Sequence, residues 1–174
     1  ITYCIDRSGI IENLLYGQSS VPVSFLAPSH PLYPDFDTIP FDLERGASLL
    51  DEVGWKDLDG DPLTPRVAQG LEKIPDGTEL ILNYVTSQAP LRVEASKMIA
   101  STLAQCGVLT NVQYYDIGTL YSPGPDGLLF GRNFDMAQFA WEAGKGLPCS
   151  LYETEQIPKQ ENGWLAINIT GYSN

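Results

Sequence analysis

The stretch 79-ELILNYVTSQAPLRVEASKMIASTLAQCGVLTNVQYY-115 decides the fold. Glu79–Val85 alternates as a strand does, with Leu80, Leu82 and Tyr84 on one face and Ile81 and Val85 on the other, so both faces are expected to be covered. Pro90 opens a helix, Leu91, Ala95, Met98, Ile99 and Leu103 form its apolar stripe, and Gly107 closes it. Asn111–Tyr115 is a second strand. A strand, a helix of about 17 residues and a strand make a βαβ unit with parallel strands and a right-handed crossover. The next crossover, Thr119–Asn133, is interrupted by SPGPDG, and Asp135–Trp141 supplies a third strand. The expected class is α/β, an open sheet flanked by helices.

Toward the amino terminus the same logic places two shorter helices. Ile1–Ile5 reads as a helix end, and Asp6 caps a helix whose stripe is Ile10, Ile11, Leu14 and Leu15, ended by Gly17. Asp42 caps another, with Leu43, Ala47, Leu49, Leu50 and Val53 apolar and Gly54 at its stop. Between them, Ser19–Pro40 carries Pro22, Pro28, Pro31, Pro34 and Pro40 among Phe25, Leu26, Leu32, Tyr33 and Phe36. Fixed φ angles and aromatic content predict an extended, ordered segment lying on an apolar surface. The tail Glu153–Asn174 has no clear period.

The chain has 174 residues, enough for one domain with a core, and its 43% hydrophobic content includes no run long enough to span a membrane. Twenty-two acids against ten bases give a net charge of −12, which repels nucleic acid and anionic lipid and suits a solvated, monomeric protein. Residue 1 is an Ile already inside an apolar pattern, and ITGYSN ends without a closing element, so the expectation is an excised piece forming a single α/β lobe over 1–174.

Candidate chemistry is sparse. Asp57, Asp59 and Asp61 around Gly60 have the D-x-D-G-D spacing of a calcium loop, but Ala68 stands where an EF-hand needs glutamate. The alternative is a solvated turn. Cys4, Cys106 and Cys149 have no zinc spacing; Cys4 reads as a buried hydrophobe, and Cys106 with Cys149 is the disulfide candidate. The single His30 has no evident partner, and no cofactor motif or phosphate loop is present. Paired carboxylates such as Glu142 and Glu153 keep a glycosidase as a competing class. In Phe134–Cys149, FDMAQFAWEAGKGLPC, a strand delivers Trp141 into a loop with Gly144, Gly146 and Pro148. Such a strand end is either one wall of a ligand site or plain core.

YCIDRSGIIENLLYGQ, PFDLERGASLLDEVGWKDLDGD, RVEASKMIASTLAQCGV, FDMAQFAWEAGKG and NITGYSN, in this order through nearly the whole chain, resemble the family 5 extracellular solute-binding proteins of ABC importers, the oligopeptide, dipeptide and nickel type. The resemblance implies most of the second lobe of a bilobed type II clamshell, not an enzyme. It implies a partner peptide or other small polar solute and a membrane permease. Localisation would be extracellular or periplasmic, with a lipoprotein anchor in a Gram-positive-type cell. An oligosaccharide-binding component and a sensor on the same fold are the alternatives. The resemblance also places Trp141, Glu142, Ala143, Gly144 and Lys145 at the ligand. In peptide-binding members an aspartate three residues after the tryptophan pairs with the α-amino group. Gly144 stands there instead, which removes that anchor; Glu142 is a candidate substitute, and Lys145 would favour an acidic ligand group. Tyr16, Tyr33 and Tyr121 are further candidates for the cleft, while Arg92 and Arg132 read as surface charges and Asp6 with Arg7 as a structural ion pair.

Overall fold

The computed structural model describes residues 1–61, 63–141 and 149–173. The chain divides into two compact units: Ile1–Leu82 with Glu94–Asn111, and Asn83–Val93 with Val112–Asn174. Among the described residues, the helices are α1 (Arg7–Leu14), α2 (Leu43–Glu52), α3 (Pro90–Ala104) and α4 (Ile117–Leu120). The strands are β1 (Trp55–Lys56), β2 (Val67–Ala68), β3 (Ile81–Ser87), β4 (Leu109–Tyr115) and β5 (Met136–Gln138). β1 and β2 form a small antiparallel pair, and the main sheet has the order β4-β3-β5.

The βαβ reading holds. Leu109 N–H donates to Leu80 O at the amino ends, and Gln88 N–H donates to Tyr115 O at the carboxyl ends, so β3 and β4 run the same way. β5 lies parallel to β3 on its other side, with Thr86 opposite Gln138. β3 is covered on both faces only from Tyr84 to Ser87; Ile81 is exposed. α3 buries Ala95, Ser96 and Leu103 rather than its whole predicted stripe, and Leu91 is half exposed. Small residues at 95 and 96 let the helix approach its neighbours closely.

In the first unit the predicted caps form. Asp6 accepts from Gly9 N–H at 2.8 Å and Asp42 from Arg45 N–H at 2.9 Å, each satisfying an orphan donor at a helix start. Arg7 does not pair with Asp6; its guanidinium donates to Ile39 O. Residues 1–5 contain a single 3-10 turn, Thr2–Cys4.

The disulfide is corrected. Cys4 bonds Cys106, with Cα atoms 6.1 Å apart, and Cys149 is a free, exposed thiol. Cys4 is buried as expected, but its neighbour is the end of α3 in the same unit, whereas Cys149 belongs to the other unit. α2 covers the bond through Gly46, where a Cβ would stand 2.4 Å from Cys4 Sγ. A cross-link between residues 102 apart removes about 4–5 kcal/mol of chain entropy from the unfolded state.

Arg66 is the polar centre of this unit. It is 5% exposed. Its Nε donates to Cys106 O at 2.8 Å, and Nη1 donates to Trp55 O and to Asp51 Oδ1, each at 3.0 Å. Its own amide donates to Gly107 O, and its carbonyl accepts from Leu80. Gly107 has φ +71°, and a Cβ there would meet Arg66 Cγ at 2.8 Å, so both the turn and the packing require glycine.

The three aspartates with calcium-loop spacing lie in a turn. Asp57 accepts from Gly60 N–H, Asp59 from Asp61 N–H and the Thr64 hydroxyl, and Asp61 from Leu63 N–H, so each carboxylate serves a local turn. These bonds, the Asp61 amide first, hold the Asp59 carboxyl below the ordinary carboxylate value. Among the described residues no group of three or more His, Cys, Asp or Glu side chains is arranged to hold a metal.

The proline-rich segment has no helix or strand. Within it, Val23 N–H donates to the Tyr33 hydroxyl and Leu32 N–H to His30 Nδ1, while Ile39 O receives the Arg7 guanidinium. Phe25, Leu32 and Phe36 are more than half exposed, so the predicted apolar bed does not cover them.

Two outcomes are expected. Arg66→Met leaves the Cys106 and Trp55 carbonyls without their donor and should lower stability by ~3 kcal/mol, read from the urea midpoint; an unchanged midpoint would refute the role given to the guanidinium. Alkylation of the native, unreduced protein should label one thiol, at Cys149, and mass-mapped label on Cys4 or Cys106 would contradict the bridge.

Candidate functional site

In the second unit, β3, β4 and β5 present their carboxyl ends along one edge of the sheet, and the chain leaving β5 carries Trp141. Ligands of open α/β sheets bind beyond such strand ends, where loops can reach over the sheet. The two faces of the sheet differ here. Val85 packs with Leu120, Leu129 and Ile169, and Tyr115, Tyr121, Phe130, Phe139 and Trp141 gather against that cluster. On strand alternation Tyr84, Thr86 and Gln138 take the opposite face.

That opposite face carries a buried polar cluster. The Thr86 hydroxyl donates to Gln138 O at 2.9 Å, and the Tyr84 hydroxyl bonds Gln138 Oε1 at 3.3 Å. Thr86 and Tyr84 are fully buried, so these bonds stand in for lost water. Burial pushes the Tyr84 phenol up to about 12, against a smaller opposing effect of the Arg92 charge. At the sheet's edge Asp135 Oδ2 accepts from the Asn83 amide N–H at 2.8 Å and from its Nδ2 at 3.1 Å, pinning the start of β5.

The third strand is shorter than expected: regular pairing covers Met136–Gln138, not Asp135–Trp141. Beyond it the backbone is held by side chains, with the Tyr121 hydroxyl donating to Ala140 O at 2.6 Å. Tyr121 meets Phe139 edge-on at 6.4 Å, Phe139 meets Trp141 at 6.2 Å, and Phe130 meets Trp141 at 6.5 Å. Trp141 is therefore partly buried in an aromatic cluster at the strand exit. Glu142, Ala143, Gly144 and Lys145 lie outside the described residues.

Of the other candidates, Tyr16 is 83% exposed and Tyr33 serves the proline-rich segment, while Tyr121 joins Trp141. Two organisers escaped the sequence reading. Asn168, fully buried, donates through Nδ2 to Glu153 O and Tyr172 O and folds the tail around itself. Gly124 faces the Trp164 ring, where a Cβ would come within 2.4 Å of Cε3. Neither has a periodic signal, because each acts through individual contacts rather than through a pattern repeated along the chain.

The Tyr84 phenol is raised above its ordinary value of 10.0, so the neutral ring stabilises the fold fully below that pH. The contribution is lost as pH climbs from about 10 toward about 12. Stability measured across that interval should fall less steeply in Tyr84→Phe than in the wild type, and identical slopes would contradict the burial of this phenol.

No curated protein matches the chain significantly. Among solved structures, the oligopeptide-binding protein of Thermus thermophilus complexed with a pentapeptide superposes with a TM-score of 0.79 at 21% identity, over 99% of this chain and 29% of that one. NikZ from Campylobacter jejuni in complex with Ni(L-His) gives 0.76 at 21%, over 99% and 32%. The oligopeptide-binding protein AppA from Bacillus subtilis, in complex with a nonapeptide, gives 0.74 at 19%, over 99% and 32%. These likenesses establish the fold, and the chain spans about a third of each of those proteins. The model for bacterial extracellular solute-binding proteins, family 5 Middle, matches residues 1–160, and the chain belongs to that family.

Proposed function

We propose that this chain is one α/β lobe of the solute-binding component of an ABC importer, taking up peptide or a related small polar solute outside the membrane. The observation that carries the reading is the family match over residues 1–160. The strand-end aromatic cluster around Trp141, which offers a ring at the rim of an open sheet, agrees with it. Two of the similar structures hold peptides and one holds a nickel–histidine complex, so a short peptide is the first choice of ligand and a metal chelate the second. Residues 141–145 would line the site. Because Gly144 stands where peptide binders carry an aspartate, a free peptide amino group would need another anchor, with Glu142 the nearest carboxylate in sequence. An oligosaccharide is the competing solute.

Import by such a protein requires the ligand to favour a closed state over an open one, which both lobes must contribute to. A permease would be the receiving partner, a lipid anchor would hold the protein at a Gram-positive-type surface, and the net charge of −12 suits a monomer.

Native mass spectrometry of the complete protein, purified without denaturation, tests the ligand class. A ladder of peptide masses supports the proposal, and a single sugar mass overturns it. At residue level, Trp141→Ala in the complete protein should weaken binding by ~1–3 kcal/mol. Unchanged affinity with lowered thermal stability would make Trp141 purely a core residue.

A further inference from the structure

We infer that Tyr121 is a positioning residue for Trp141: its hydroxyl and ring replace the missing sheet ladder and fix where the indole stands at the strand exit. The inference rests on the proposed role of Trp141 in ligand binding, but its structural part stands separately.

The argument begins with where regular pairing stops. β5 ends at Gln138, three residues before Trp141, so residues 139–141 lack the repeated inter-strand bonds that hold a strand in register. Two hydroxyls act on the backbone of this exit. Thr86 donates to Gln138 O at the last paired position, and Tyr121 donates to Ala140 O, immediately before the tryptophan. At 2.6 Å the second is short for a phenol-to-carbonyl bond. The Tyr121 ring then braces Phe139 edge-on, and Phe139 braces Trp141. One side chain thus touches the segment twice, by a hydrogen bond to residue 140 and by a ring contact to residue 139.

Tyr121 is itself fixed. It is the C-terminal cap residue of α4, with its amide donating to Ile117 O. The start of α4 is held by Asp116, which accepts from the Thr119 amide at 3.0 Å and from its hydroxyl at 2.6 Å. Leu120, 1% exposed, anchors the same turn in the apolar cluster with Val85, Leu129 and Ile169. A helix of one turn has little stability of its own, so cap and anchor together hold Tyr121 in place. A ligand wall needs such support, because a loosely held ring loses affinity to its own ordering on binding.

Tyr121→Phe removes the hydroxyl and leaves the ring. The complete protein is labelled with 5-fluorotryptophan, and its Trp55, Trp141 and Trp164 signals are each assigned from the corresponding single variant, Trp55→Phe, Trp141→Phe or Trp164→Phe. The Trp141 signal should shift or broaden in Tyr121→Phe while those of Trp55 and Trp164 stay in place. Three unchanged signals, or three that move together, overturn the inference, the second because it marks a global rather than a positioning effect. The binding arm uses pentaalanine as probe, with Trp141→Ala beside Tyr121→Phe. An affinity about fivefold lower in Tyr121→Phe, with its melting temperature little changed, supports positioning of a ligand wall. Weakened binding in Trp141→Ala with full affinity in Tyr121→Phe overturns it. If neither variant changes pentaalanine binding, the ligand role of Trp141 fails, and the fluorine signals still decide whether Tyr121 sets the ring's position.

Discussion

A guanidinium taken almost wholly out of water must have its donors matched, and the first unit is arranged so that Arg66 does. Its partners come from the last turn of α2, from β1 and from the turn between α3 and β4. Two of the three are backbone carbonyls, so the interaction fixes chain path rather than pairing charge with charge. Asp51, the third, has a carboxylate that is 45% exposed, which keeps the cost of a buried ion pair low. Arg66 also joins Leu80, just before β3, and Gly107, just before β4, through its own carbonyl and amide. The amino ends of two parallel strands are therefore set by one residue lying outside both. The Cys4–Cys106 bridge acts beside it, since Cys106 is at once a disulfide partner and an acceptor for Arg66.

The second unit solves a different problem. A short strand must present an aromatic at its exit while the ladder that would hold it has already ended. Side-chain hydroxyls take over, and the edge-to-face contacts among Tyr121, Phe139, Phe130 and Trp141 add dispersion and quadrupole complementarity. Loops at strand ends carry function in α/β proteins because the sheet beneath them is rigid. In this unit the rigidity extends past the sheet through Tyr121.

The sequence made the regular parts legible. Pro90 and Gly107 bracket α3 because one lacks a donor that a first turn does not use and the other tolerates a left-handed φ. Asp6 and Asp42 cap their helices because a short carboxylate reaches the free amides. Strand length was less legible: Asp135–Trp141 has a strand's composition throughout, yet pairing stops at Gln138, since ladder length depends on the partner strand. The aspartates at 57, 59 and 61 show the same limit. Their spacing can serve a cation or a tight turn, and the turn's own amides donate to the carboxylates.

Local chemistry thus sufficed for caps, turns, the βαβ order and the succession of motifs that marks a family 5 solute-binding protein, because each depends on neighbours within a few residues or on a pattern repeated along the chain. Tertiary structure alone decided that Cys4 rather than Cys149 meets Cys106, that Arg66 is buried, and that Tyr121 holds the segment leading to Trp141. Each of these rests on contacts between residues well separated in the chain, from 11 positions for Arg66 with Trp55 to 102 for the disulfide, and a single distant contact leaves no periodicity to read.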